Sequence, residues 1–449
     1  MTLAQHTTAS TATTGHRDRM LGLLRRRPPR TSLEAPLYND PDLFSLDMQG
    51  IFATQWFFAT TEAEIPEPGD YVTVDIGTLS LIIVRDDDGQ VNALHNVCRH
   101  RGARVMTDRR GTTARLTCAY HSWTYATDGT LLHASSPGET FDRTCFSLRT
   151  AHVRSVCGLV FVCTAAEPPT DIDDLAATVT PYLAGFDIAS AKVATRIDLM
   201  EEGNWKLTME NNRECYHCGG HPELACSLFA TWGLTADTVP PELAADWDRS
   251  LLADAALRER CTTHGLPWDI VEHLTDRDAG FRISREALDK AGESFSVTGE
   301  RLSRKLMGDL PDFRLGRTSL HVQPNAWFHG LSDHVITFAA YPVSADRTLV
   351  RTTWLVAEDA VAGEDYDVDE LTHVWRHTNS QDADFVQLAQ QGVSSPAYVP
   401  GPYMRSEDQV EAFIGWYTDH MIRHLDHLDH LDHLDHLDHL DHLDPGERS

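Results

Sequence analysis

Cys98-Arg99-His100 and, after seventeen intervening residues, Cys118-Ala119-Tyr120-His121 are the strings on which the reading of this chain turns. Each offers one thiolate and one imidazole, the first at Cys-x-His and the second at Cys-x2-His spacing. A Rieske [2Fe–2S] cluster needs that donor set, because two cysteines hold one of its irons and two histidines the other. Structural zinc also accepts two Cys and two His, usually as C-x2-4-C with a distant H-x3-5-H. Mixed pairing inside each string argues against it. The two strings are expected at hairpin tips that pinch the cluster between them.

Short β-rich runs surround both strings. Tyr71–Ile76, Leu79–Val84 and Gln90–Asn96 precede or lead into the first; Leu116–Ala119, Trp123–Tyr125 and Leu159–Cys163 carry or follow the second. Asp/Gly turns part them, such as Asp86-Asp87-Asp88-Gly89 and Asp128-Gly129, so a small all-β module is expected to end near Glu167. Upstream, Asn39-Asp40-Pro41-Asp42 marks a helix start, with Asp40 as N-cap and Pro41 at the first helical position. Leu43–Trp56 continues that helix, and the unit spans 38–167. Residues 1–37 are Thr-rich, then basic at Arg25, Arg26 and Arg27, and lack the apolar stretch of a secretory signal. They read as a flexible leader on a cytoplasmic protein.

A larger unit is expected over 168–423. It opens with a connector and short helix over 170–188 and a strand at Val193–Met200. Helical patterning follows through Asn204–Leu228 and Asp248–Leu274. Strands are expected at Ser319–Gln323, Val335–Tyr341 and Leu349–Leu355, then helices over Glu370–Gln391 and from Glu407 past Trp416. The fold class is α+β. From His424 to Asp444 run seven tandem His-Leu-Asp repeats. Period three precesses around a 3.6-residue helix, so the leucines form no single stripe. Residues 424–449 read as a solvated low-complexity tail, with adventitious metal binding by the histidines as the alternative.

The formal charge is −29, which disfavours nucleic acid and anionic membrane surfaces as partners. No apolar run approaches the roughly 20 residues that span a bilayer. Nine cysteines in 449 residues suggest no disulfide framework; beyond Cys98 and Cys118 they read as reduced, mostly buried thiols.

A second constellation lies at Asn204-Trp205-Lys206 and Glu210-Asn211-Asn212-Arg213-Glu214-Cys215-Tyr216-His217-Cys218-Gly219-Gly220-His221. His217 and His221 are four apart, so on a helix they share a face and can hold one metal. Two histidines with one carboxylate form the facial triad of non-heme Fe(II) oxygenases, with positions open for dioxygen. Asp382 is the candidate carboxylate, with Asp384 second. Taken alone, H-x3-H also fits a helix surface or zinc, and Cys215-x2-Cys218 also fits a redox disulfide. The upstream cluster strings tip the balance, since a one-electron carrier followed by a dioxygen-binding iron forms a coherent machine.

With these strings together the chain resembles the oxygenase (α) subunit of Rieske non-heme iron oxygenases, from about Leu23 to Tyr417. The carriers are His95-Asn96-Val97-Cys98-Arg99-His100-Arg101-Gly102 and Asn204-Trp205-Lys206 leading into Glu214-x2-His217. Within the superfamily it is most similar to the quaternary-amine branch typified by glycine betaine demethylases. Glu210–Cys218, Gln323-Pro324-Asn325-Ala326-Trp327 and Gly401-Pro402-Tyr403 support that branch. Two features depart from the family. Three residues separate His217 from His221 where four are usual, and Ala119 stands where Pro is common before Tyr-His.

The resemblance implies a small all-β Rieske domain before a larger helix-grip catalytic domain, an antiparallel sheet with helices. It implies a flavin- and ferredoxin-type reductase that takes electrons from NADH or NADPH. These pass singly to the cluster at Cys98, His100, Cys118 and His121. It implies a homotrimer in which one subunit's cluster feeds its neighbour's mononuclear iron, held by His217, His221 and Asp382. Glu214 occupies the position of the carboxylate that bridges a histidine of each centre. Dioxygen would then hydroxylate an N-methyl group of a small quaternary amine, such as glycine betaine. A trimethylammonium accepts no hydrogen bond, so aromatic faces are expected around it. Tyr216, Trp232, Trp327, Phe328 and Trp416 are the candidates, with core packing as the alternative for each. Rival readings are ring dihydroxylation, demethylation of stachydrine, choline or carnitine, an electron carrier without catalysis, and an inactive homologue with structural zinc.

Overall fold

The computed structural model describes residues 15–136 and 138–441. The first fourteen residues of the expected leader and the final His-Leu-Asp repeat lie outside them. From residue 15 on, the leader is not the flexible segment expected: residues 15–25 form a helix. Met20, Leu21, Leu23 and Leu24 on it are buried in the main core. Their spacing covers one helical face, and that apolar stripe drives docking. After a short helix, Pro36–Asn39, Asp40 caps the helix Pro41–Asp47 by accepting from the amides of Asp42 and Leu43. A π-helical turn, Met48–Phe52, ends it before the expected Trp56.

Seven strands form the first sheet: β1 (Phe57–Thr61), β2 (Asp70–Ile76), β3 (Leu79–Arg85), β4 (Val91–His95), β5 (Arg110–Thr112), β9 (Thr150–Val156) and β10 (Leu159–Cys163). Their order is β1-β10-β9-β4-β3-β2-β5, antiparallel throughout. A three-stranded sheet of β6 (Leu116–Thr117), β7 (Thr124–Tyr125) and β8 (Leu131–His133) stands beside it. Between the two lies a separate small core of Ile82, Leu94, Val105, Leu116, Trp123, Tyr125 and neighbours, into which Cys98 and Cys118 are packed.

The second unit is built on β11 (Lys192–Glu201), β12 (Val271–His273), β13 (Phe281–Glu286), β14 (Arg317–Val322), β15 (Ala326–Gly330), β16 (Val335–Ser344) and β17 (Arg347–Val356). β12 to β17 meander in sequence order, and β11 adds at the β17 edge, all antiparallel. The helical patterning expected through Asp248–Leu274 stops at Thr263, where the helix Ala244–Thr263 ends; β12 occupies its last residues. One long helix, Val368–Val393, lies against this sheet, capped by Asp367 and tied to it by an Asn379–Thr352 hydrogen bond. Gly203, just after β11, lets the chain pass that helix closely: a Cβ there would sit 2.4 Å from Val386 Cγ1.

The final helix, Asp408–Asp441, absorbs much of the His-Leu-Asp stretch. At its first repeat the expected solvated tail is instead docked. Leu425 is fully buried and Asp426 is ion-paired with Arg25. Gly50 makes room for that docking, since a Cβ there would meet Met421 Sδ at 2.6 Å and His424 Cδ2 at 3.1 Å.

Candidate metal centres and substrate cavity

Cys98 and His100 lie in the loop after β4, and Cys118 and His121 in the turn between β6 and β7. The thiols are buried, at 3% and 1% exposure, whereas His100 is exposed and His121 half-buried. The two rings turn the same nitrogen toward a common point: Nδ1 of His100 lies 3.1 Å from Nδ1 of His121. Trp123 stacks on His100 at 4.9 Å and holds its ring plane. Tyr125 Oη lies 3.3 Å from Cys98 Sγ and accepts from the Arg99 amide. Gly102, at φ +77°, lets its amide turn back to the Cys98 carbonyl. Two inward thiols and two outward imidazoles on facing loops fit a [2Fe–2S] cluster.

The second group assembles from two segments. Asn204 caps the helix Trp205–Asn212, which ends at Arg213. His217, a 3-10 turn Cys218–Gly220 and His221 follow. The histidines therefore do not share the face of one α-helix, as their spacing suggested. The turn brings them together, with His221 in extended backbone before the short helix Pro222–Ala225. Asp382 comes from the middle of Val368–Val393. Its Oδ1 lies 3.2 Å from Nε2 of His217 and 3.2 Å from Nε2 of His221. Asp384, the second choice, is absent from this cluster.

The other face of each imidazole is held. His217 Nδ1 donates to Glu214 Oε1 at 2.6 Å, and His221 Nδ1 donates to Gln381 Oε1 at 2.8 Å. Gln381 in turn donates to Glu223 at 3.0 Å. Both Nε2 atoms are thus presented inward, the arrangement that outer partners impose on metal-binding histidines. His221 Nε2 and Asp382 Oδ1 are buried without a hydrogen-bond partner, so the donor set fits a divalent metal that would satisfy both. Burial pulls His217 down, but hydrogen bonds and charge from Asp382 and Glu214 outweigh it and lift the ring to about 9. Burial pushes Asp382 up, yet the two imidazoles hold it below the usual carboxylate range. The site is built for positive charge.

Sequence reasoning missed Gln381 as a partner of His221, although it adjoins the candidate ligand Asp382. The structure also departs from the expectation of reduced thiols by joining Cys215 to Cys218 in a disulfide, inside the loop that carries Glu214 and His217.

A cavity of about 270 Å³ opens beneath His217, His221 and Asp382. Drug-sized pockets start at roughly 300 Å³. Its wall is mixed: Arg213, Arg282, Arg317, Glu286, His321 and His329 line it together with Leu224 and Leu228. Of the five aromatic candidates only Trp232 lines it, with the Arg317 guanidinium 4.8 Å over its ring. Tyr216 instead points outward at 71% exposure. Phe328 packs edge-on against Phe58, and Trp416 is buried beside Phe413 and His420. Trp327 stacks on Phe338 and borders a smaller void on the far side of Asp382. Trp327 and Phe328 stand in a strand buried along its whole length and Trp416 on a buried helix face, so all three serve the core. Trp375, not singled out from the sequence, lines the main cavity on the helix that carries Asp382.

Known proteins agree with this architecture. Residues 55–149 match the Rieske [2Fe-2S] domain family, and residues 188–423 match the ring hydroxylating alpha subunit (catalytic domain). The chain is 40% identical to the glycine betaine monooxygenase oxygenase subunit of Chromohalobacter salexigens over 413 residues, 91% of this chain and 90% of that protein. It is 40% identical to the Pseudomonas aeruginosa subunit of the same name over 410 residues, 90% and 92% of the two chains. The crystal structure of the quaternary ammonium Rieske monooxygenase CntA with L-carnitine shares the fold at TM-score 0.64 and 20% identity. That match covers 89% of this chain and 98% of the other. The chain belongs to the Rieske non-heme iron oxygenases, as an oxygenase α subunit with a Rieske [2Fe–2S] cluster and a mononuclear iron.

Proposed function

We propose that this chain is the oxygenase component of an N-demethylase for a small quaternary ammonium acid, with glycine betaine, yielding dimethylglycine and formaldehyde, as substrate. The observation that carries the reading is the cavity itself: small, lined by arginines as well as by Trp232 and Trp375, and opening directly on His217, His221 and Asp382. The named relatives at 40% identity support the choice of substrate.

When bound, the cluster supplies single electrons and the iron supplies dioxygen activation; these are held by Cys98, His100, Cys118 and His121, and by His217, His221 and Asp382. The chain's own residues do the positioning. Glu214 accepts from His217 Nδ1–H and keeps that imidazole's Nε2 inward. Gln381 does the same for His221. The cavity sets an N-methyl group toward the triad. Hydroxylation of that methyl gives an unstable carbinolamine, which releases formaldehyde and the demethylated amine.

A flavin- and ferredoxin-type reductase drawing on NAD(P)H is the electron source in this reading, and the assembly is a cytoplasmic homotrimer. Exposed Tyr216, Phe385 and Leu388 around Glu214 suit docking by the neighbouring subunit's Rieske tip, where Val97 and Tyr120 are also exposed. Glu214 would then bridge the two centres. The test is formaldehyde release from the iron-loaded protein with NADH and a reductase of this family. Glycine betaine, stachydrine, choline, carnitine and an aromatic acid are offered in turn. Stoichiometric formaldehyde from glycine betaine, abolished in His217→Ala with the Rieske spectrum intact, is expected. No formaldehyde from any amine would sink the reading.

A further inference from the structure

Seven buried polar atoms on residues that line the main cavity have no hydrogen-bond partner. His221 Nε2 and Asp382 Oδ1 belong to the candidate metal site. Arg213 Nε, His321 Nδ1, His329 Nδ1, Trp375 Nε1 and Gln409 Oε1 do not. Native interiors rarely tolerate orphaned groups, and five of them around one small void point to a polar ligand there.

Arg213 stands out because it carries a full charge. It is fully buried, and it meets only neutral oxygens: Asn212 Oδ1 at 3.3 Å and the Val322 carbonyl at 3.4 Å. Phe413 offers it a ring face at 5.9 Å. Among the described residues no carboxylate pairs with it. Its neighbours in the wall differ. Arg317 and Arg282 share Glu286, and Arg282 also reaches Glu272. The acids at the cavity are thereby committed, and the Arg213 charge is surplus. Burial alone drags its guanidinium down to about 9, with no counter-charge acting the other way. Water can satisfy an N–H, but it cannot neutralise a buried cation.

We propose that Arg213, with His321 beside it, is the carboxylate-binding subsite of the substrate cavity. The guanidinium has no exposed surface in the ligand-free cavity, so the wall shifts as the substrate's carboxylate takes it as counter-ion, and the methylated ammonium end is thereby directed to the side of the same cavity formed by His217, His221 and Asp382. His321 is half-buried with its Nδ1 sealed from solvent, and desolvation and the surrounding arginines hold it neutral, so its imidazole donates an N–H without adding a second charge. This subsite rests on the reading of the substrate as a small ammonium acid. It also makes the cavity bind choline, which lacks the anion, more weakly than glycine betaine.

The test uses the full-length, metal-loaded enzyme and three ligands: glycine betaine, choline, and 3,3-dimethylbutanoate, which keeps the carboxylate and lacks the cationic nitrogen. Calorimetric binding is measured for wild type, Arg213→Gln, Arg213→Met and Arg213→Lys. The two neutral variants are expected to lose at least about 30-fold in affinity for both carboxylates, as when one partner of a buried charge pair is removed. Choline binding should stay within threefold, and Arg213→Lys should fall between. The ligand-free melting temperature of Arg213→Met should equal or exceed that of wild type, because an unpaired buried charge has been removed. The proposal is overturned if carboxylate affinity in the neutral variants stays within threefold of wild type, or if wild type binds neither carboxylate. Equal losses for choline together with a fall in ligand-free melting temperature, or failure to fold, would make Arg213 a structural residue and overturn it as well. Carboxylate binding lost in Arg213→Gln without formaldehyde from wild type would sink the demethylase reading and leave this subsite standing.

Discussion

At the scale of single residues the proposed metal ligands announce themselves and their supports do not. Cys98, His100, Cys118 and His121 are legible because a thiolate beside an imidazole, twice, has few other uses. His217 and Asp382 are legible once the cluster strings set the context. Gln381 is not, since a glutamine on a helix surface has no chemical signature of its own. Its effect is nevertheless specific: it accepts from His221 Nδ1 at 2.8 Å and so fixes which nitrogen faces Asp382. Gln381→Leu is expected to weaken iron binding at the mononuclear site by roughly 10- to 100-fold. Iron titration followed by chelator competition measures it, and unchanged affinity would remove Gln381 from that role. Arg213 was equally silent, because an arginine in Glu210–Cys218 reads as a charged helix end until its burial is seen.

At the scale of elements, periodicity located the long pieces and missed the transitions. β16, β17 and Val368–Val393 lie close to where the apolar patterns put them. β13 and β15 went unread, being short and adjacent to polar segments whose partners lie across the sheet. The histidine pair taught the clearest lesson. Four-residue spacing suggested one helical face, but Gly219 and Gly220 favour a turn, and the turn does the same task. The final helix shows the opposite error, because a repeat with no continuous stripe still docks wherever one leucine meets the core. Leu425→Ala should therefore cost about 2–5 kcal/mol of stability, a typical truncation of a fully buried leucine. Chemical denaturation would measure it, and a loss below about 0.5 kcal/mol would return that repeat to solvent.

At the scale of the whole molecule, a buried acid ties together segments far apart in sequence. Glu210 accepts from Tyr38 at 2.7 Å and from Tyr403 at 2.9 Å, joining the catalytic helix to chain near each terminus. Burial drives its carboxyl up, against those hydrogen bonds and the charges of Lys206 and Arg27, to about 7. That lies above the roughly 4.3 of an unfolded glutamate. The native chain therefore keeps a proton that the unfolded chain has lost between about pH 4.5 and 7. Its contribution to stability declines as pH rises through that window. Glu210→Gln is neutral at every pH, so its melting temperature should gain on wild type from pH 5 to pH 8. A gap that stays constant or moves the other way would contradict this.

Adjacent residues Gln381 and Asp382 grip opposite nitrogens of one imidazole, and both stand in the middle of a 26-residue helix. A residue inserted or deleted upstream in that helix turns everything beyond it by about 100° relative to the sheet. Both grips would be lost at once. The loop that supplies the histidines obeys a looser rule, since its turn needs only to deliver two rings to the helix. Length variation in this enzyme is therefore affordable on one side of the iron and forbidden on the other. Anyone reshaping the cavity by loop grafting should cut between Cys218 and Gly220 and leave the helix at its native count.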